Sequence, residues 1–200
     1  MTFGSDITFG EEPGRPVVHY IRGAKDRALE AAARAGLQVM VGRYSVHKYR
    51  GEVAPENLYE IVECPPNLFL TAGVTHMWKL VTGDSTATAL DTSNAYLAVG
   101  DSSTAPTVSD TDLKASTNKM RKKVKSDGIT IASRQVTFSA EFGTSDANFE
   151  WLEVGVGWAA SGSNTLLSRS AIASPGLGTK VNTAVWVLNW TLGISSTAGS

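Results

Sequence analysis

The chain has 200 residues, 42% of them hydrophobic and 18% charged, enough for one well-buried domain with a small appendage and far from the composition of a disordered polypeptide. Its 18 Lys and Arg against 19 Asp and Glu leave a formal charge of −1, which excludes an overall field drawing it onto nucleic acid or an anionic membrane. A single cysteine, Cys64, excludes an internal disulfide framework and a cysteine-based zinc site, and reads as a small buried hydrophobe.

Residues 1–22 are rich in Gly and Pro and keep no sustained period. They are expected to form an extended N-terminal arm outside the core, whose Phe3, Ile7, Phe9, Val17, Val18, Tyr20 and Ile21 are buried only on a neighbour. The opening residues are acidic and lack the apolar run of a secretory signal. No later stretch approaches the ~18 apolar residues of a membrane span, so a protein soluble where it is made is expected. AKDRALEAAARAGL, 24–37, consists of strong helix formers and places Gly36 where a helix end needs positive φ. Strand-forming residues follow in QVMVGRYSVHKYR and NLYEIVE. TAGVTHMWKLVTGD then predicts a second helix, with Val74, Met77, Trp78 and Val81 as its buried stripe.

The second half reads as strand and turn. Val136, Phe138, Ala140 and Phe142 alternate with polar residues, and Leu152, Val154, Val156 and Trp158 repeat the pattern. Trp186, Leu188, Trp190, Leu192 and Ile194 fall on one side of the last segment. Each reads as a strand with one buried and one wet face. The Ser/Thr-rich stretches at 82–94 and 101–111 read as exposed loops. Turns and not helical crossovers separate the strands, so the expected fold is mainly β: an antiparallel β-sandwich of jelly-roll type with one or two short helices and an extended N-terminal arm. The expected division is an arm and short helix over 1–37 and a β-sandwich domain over 38–200.

Candidate chemistry is sparse. Gly100-Asp101-Ser102 has the form of the nucleophile block of one family of serine esterases, but His19, His47 and His76 all precede Ser102 and none stands in an Asp-x-x-His. A Ser102-dependent hydrolase is therefore a remote alternative, and no catalytic residue is assigned. The histidines lack the spacing that puts two metal ligands on one face, and Asp84, Asp91, Asp101, Asp110 and Asp112 lack the order of a calcium loop. They read as solvated loop carboxylates, and no metal or cofactor is assigned. NKMRKKVK, 118–125, holds five cations in seven residues. It reads as a solvated edge strand whose lysines discourage edge pairing, with an acidic protein partner as the alternative; the lack of interleaved aromatic residues argues against nucleic acid.

Taken in order, AYLAVGDSSTAP, DTDLKASTNKMRK, VTFSAEFGTSDANFEWLEVGVGWAASG, LLSRS and LGTKVNTAVWVLNWTLGIS resemble a group of tailed-bacteriophage structural proteins. The shared blocks are a strand ending in Val-Gly-Asp-Ser/Thr, Thr-Asp-Leu before Thr-Asn-Lys and basic residues, Ala-Asn-Phe-x-Trp, and a closing Leu-Gly-Thr-Lys strand. The resemblance spans about residues 60–195. It departs at Glu153-Val154-Gly155-Val156-Gly157-Trp158, where Glu-Trp-Gly-Val-Phe-Asn is expected. It implies a virion component without enzymatic activity: a capsid decoration or cement protein bound to the major capsid protein on the phage head and associated as a homotrimer. A tail, collar or fibre-associated role is the alternative. No membrane, nucleic-acid or small-molecule partner is expected.

Overall fold

The computed structural model describes residues 16–21, 24–173 and 176–194. The elements are β1 (Val17–Tyr20), α1 (Ala24–Arg34), β2 (Met40–Arg50), β3 (Leu58–Glu63), β4 (Leu68–Phe69), α2 (Thr71–Val81), β5 (Tyr96–Gly100), β6 (Lys119–Lys123), β7 (Ile129–Ala132), β8 (Gln135–Phe142), β9 (Glu153–Gly157), β10 (Leu166–Ala171) and β11 (Ala184–Ile194). A 3-10 turn, Pro55–Asn57, leads into β3. The fold is mainly β: one sheet runs β1-β3-β2-β11-β8-β7 and the other β4-β10-β9-β5-β6. Every described pairing is antiparallel except β1 with β3.

One core joins the two sheets. Tyr44, Val46, Val62, Phe138, Ala140, Phe142, Trp186, Leu188 and Trp190 come from the six-stranded sheet, and Leu97, Val99, Val154, Val156 and Leu167 from the five-stranded one. Alternation in β2, β8 and β11 puts these residues on one side, as expected from their period. Phe142 and Trp186 each meet Trp151 edge-on with ring centroids 4.8 Å apart, contacts worth about 0.5–1.5 kcal/mol each beyond their buried area. The buried Trp151 indole donates to Ala147 O at 3.0 Å. Cys64 lies in this core, and burial pushes its thiol well above the usual range.

Both helices form where the sequence places them. α1 ends in a Schellman motif: Gly36 has φ +74°, its N–H donates to Ala33 O, and the Leu37 N–H donates to Ala32 O.

Four expectations are corrected. Residues 17–21 do not stand apart as an arm: β1 pairs with β3, and Ile21 packs on the core. The remainder of the arm, residues 1–15 and Arg22, lies outside the described residues. The stripe Val74, Met77, Trp78, Val81 is only partly the packed face of α2: Met77 packs on the core and Val74 is half-buried, but Trp78 and Val81 are exposed, and the buried residues of the helix are Gly73 and His76. A Cβ on Gly73 would collide with the Leu167 backbone, so the bare glycine lets α2 approach β10 closely and sets its rotation. Strand β9 has no wet face, since all five of its residues are buried. Ile194 continues the period of β11 but is exposed.

Candidate functional site

The turn after β5 suggested chemistry, and the structure uses it as an anchor. Gly100 lies so close to Glu153 that a Cβ there would sit 2.5 Å from Oε1. Asp101 accepts from Asn118 Nδ2 at 2.8 Å, and Ser102 Oγ donates to Thr104 Oγ1 at 3.0 Å. Two residues later the loop meets a charge cluster on the outer face of the five-stranded sheet. Arg169 donates from Nε to Glu153 Oε2 at 2.6 Å, from Nη1 to Asp110 Oδ2 at 2.9 Å and from Nη2 to Thr104 O at 2.7 Å. Glu153 also accepts the N–H groups of Ala115 at 2.6 Å and Lys114 at 3.0 Å. Asp110 accepts the Thr107 N–H and hydroxyl, and Lys114 Nζ lies 2.9 Å from Oδ1.

Arg169, Glu153 and Asp110 are all buried. Charges removed from water are tolerated only when paired and hydrogen-bonded, and here two cations face two carboxylates with backbone groups filling the remaining valences. Burial alone would raise the Asp110 pKa. The bonds from Lys114 and Thr107 and the charge of Arg169 outweigh it and hold the carboxyl at about 2. The cluster pins residues 104–115 across the sheet and closes a second apolar pocket of Leu70, Ala98, Leu113 and Leu166. Asp110 is thus no solvated loop carboxylate; the 101–111 stretch is a largely exposed loop, as expected, but it is fastened to the sheet at Thr104 and Asp110. Arg169 and Glu153 escaped the sequence reading; their signal was a single charge in each of two otherwise uncharged strands, at the start of β9 and within β10.

The other blocks of the resemblance bond to one another. In Ala147-Asn148-Phe149-Glu150-Trp151 and Leu177-Gly178-Thr179-Lys180, the Trp151 N–H donates to Gly178 O, Leu177 N–H to Trp151 O and Lys180 N–H to Phe149 O. Buried Lys180 donates to Gly143 O at 2.6 Å and Asn148 Oδ1 at 3.0 Å, and its desolvation lowers its pKa.

The histidines are not brought together. His19 Nε2 stands 3.6 Å from Glu60 Oε1. His47 lies on the outer side of β2 opposite Val187 and Ile61, and partial burial lowers its pKa. His76 stacks on Trp158 with ring centroids 3.7 Å apart and bonds Thr88 O at 2.8 Å. Asp84 and Asp91 cap turns at Thr86 and at Ser93 and Asn94. Among the described residues no group of three or more His, Cys, Asp or Glu is placed to hold a metal ion, and no helix is long and apolar enough to cross a membrane.

The basic run forms β6, at the edge of its sheet as the lysine pattern predicted. Internal carboxylates take up most of its charge: Lys119 and Arg121 pair with Asp112, and Lys122 with Asp146. Arg121 is nearly buried and also donates to Ala159 O and Thr165 Oγ1. Asp112 is therefore paired as well, against expectation.

Several large apolar side chains are also exposed. Trp78 and Val81 stand out from α2, and Leu37, Met40, Ile131 and Ile194 are exposed at one end of the six-stranded sheet. Between α1 and the outer face of that sheet runs an open groove of about 580 Å³ lined by Leu29, Ala33, Val41, Thr191 and the charged pair Arg43 and Glu63. Arg43 is held by Asp26 at 2.9 Å. Comparison with family models, curated proteins and solved structures finds no match to this chain.

Proposed function

We propose that this chain is a structural protein of a tailed-bacteriophage virion: a decoration, or cement, protein that binds the outside of the head between major-capsid subunits and stabilises it, with no enzymatic activity. One observation carries the reading. The blocks of the resemblance, from Gly100 through Asp112, Trp151 and Lys180, are bonded inside the body, whereas Leu37, Met40, Trp78, Val81 and Ile131 stand exposed outside the quoted blocks, and only Val181 and Ile194 are exposed large apolar residues within them. Residues that fix shape and leave an adhesive surface suit a protein whose work is to dock. The proposed partners are the major capsid protein and further copies of the chain, as a homotrimer. A modest interface repeated over a symmetric shell and linked through a trimer gains by effective concentration, so weak single contacts suffice. The jelly-roll order belongs to the same proposal and is supported by the central pairing of β2 with β11, the first and last long strands.

The test is an image of particles carrying the chain. Copy number and position that follow head symmetry are expected; a chain found at the tail or collar overturns the head assignment.

A further inference from the structure

At one end of the six-stranded sheet, the face that elsewhere forms the core continues as an open apolar shelf. Register places Ile131, Val136 and Leu192 in one cross-strand row and Ile194 and Met40 in the next. Val136 and Leu192 still touch the core, whereas Met40, Ile194 and Ile131 are 42%, 48% and 80% exposed. The first row ends at β7, the last strand of the sheet. The Ser139 N–H donates to Gly128 O at 2.7 Å. Alternation from that bond turns the Thr130 and Ala132 amides toward β8 and leaves the N–H and C=O groups of Ile129 and Ile131 facing the open edge. β7 reads Ile-Thr-Ile-Ala and carries none of the charge that protects β6. An uncharged edge beside an apolar shelf is suited to accept another strand.

The chain outside the described residues contains a sequence of matching chemistry. Residues 1–22 as a whole keep no sustained period, but Phe3, Ser5, Ile7 and Phe9 alternate with Gly4, Asp6 and Thr8. Extended, that segment has one largely apolar and one polar face.

It cannot lie along β7 of its own copy. β1 and β7 are the opposite edges of the sheet, five strand spacings apart, or about 24 Å. Val17 is level with Glu60, Lys48, Trp186 and Phe142. Phe142 is six residues along β8 from Val136, about 20 Å. The direct line is therefore about 31 Å, while the eight residues from Phe9 to Val17 extend to at most ~29 Å and must also pass around the body.

We propose that residues 2–9 of one copy add as a strand to β7 of a neighbouring copy, with Phe3, Ile7 and Phe9 covering its shelf. Each copy gives a strand at one edge and receives one at the other, a head-to-tail contact that closes into a ring when the rotation permits. The inference rests on the self-association in the proposed function and names the surfaces that make it.

The test mixes full-length chains carrying Ile7→Cys with full-length chains carrying Ile131→Cys and treats them with a short bis-maleimide, Cys64 staying buried in both. Mixed dimers are expected at roughly tenfold the yield given by Ile7→Cys with Lys123→Cys at the other sheet's edge. Deleting residues 2–9 is expected to reduce the light-scattering mass to that of one chain while thermal unfolding stays unchanged. Equal cross-linking at both edges, a mass unaffected by the deletion, or a full-length chain already monomeric overturns the proposal. These readouts use purified protein alone. Loss of the cross-link with intact attachment to particles sinks the strand exchange only, and a specific cross-link without attachment sinks the decoration reading only.

Discussion

On the outer face of the six-stranded sheet, β8 and β11 present short polar pairs, Ser139 with Asn189 and Thr137 with Thr191, and α1 stands over one side across an open groove, tied to β2 by Asp26 and Arg43. On the outer face of the five-stranded sheet, β9 and β10 are buried: α2 and residues 104–115 cover them, fastened by Arg169, Glu153 and Asp110. The first face stays wet enough for neutral hydroxyls and amides to satisfy one another. The second has lost its water, so its charges must be paired in full or be very costly. A sheet with one wet face shows its period in the sequence; a sheet covered on both faces conceals it.

Breaking the cover should therefore cost far more than breaking the polar pairs. Arg169→Ala leaves Glu153 and Asp110 buried without their cation and is expected to lower stability by about 3–5 kcal/mol, read from denaturant unfolding. A loss below about 1 kcal/mol would mean that the cluster does not hold the cover. Next comes Gly73→Ala, whose methyl meets the Leu167 backbone and is expected to cost about 1–3 kcal/mol as α2 is pushed from β10. Trp158 fluorescence should change with it, because His76 leaves its stack. An unchanged spectrum with unchanged stability would show that α2 has room to adjust.

Acid should loosen the same cover by a smaller amount. The folded Asp110 carboxyl titrates at about 2, below the ~3.9 of an unfolded aspartate. Its contribution to stability is thus fully present above about pH 4 and is lost as pH falls from there toward 2. Hydrogen exchange at the amides of 104–115 should accelerate in that window while those of β2 and β11 stay protected; simultaneous loss in both sheets would contradict a separately fastened cover. The smallest effect is expected for Thr191→Val, which removes the 2.9 Å bond to Thr137 on the half-wet face. It should cost about 0.5–1.5 kcal/mol, and a larger loss would show that face to be as dry as the other.

The strands of the six-stranded sheet were legible because a single buried face imposes period two on Phe138, Ala140 and Phe142 and on Trp186, Leu188 and Trp190. The helices were legible too, α1 from its composition and from Gly36 at its end. In α2 the pattern gave the correct element and only part of its packed face: Met77 meets the core, but the close approach that Gly73 allows leaves Trp78 and Val81 turned outward. The edge position of β6 followed from its lysines, but their pairing with Asp112 and Asp146 did not, because those partners arrive from other loops.

Local physics along the chain determined which segments are strand or helix, the wet and dry sides of β2, β8 and β11, the burial of Cys64 and the cationic edge. Those properties depend on neighbours within a few residues, and periodicity records them. Only the tertiary structure decided that β1 joins the sheet, that both faces of β9 are dry, and that Arg169, Glu153 and Asp110 form one cluster. Asp110 and Arg169 are 59 residues apart in the chain, and whether a charge meets its partner or water at that separation is settled by which surfaces the fold closes, a property that no local window of sequence contains.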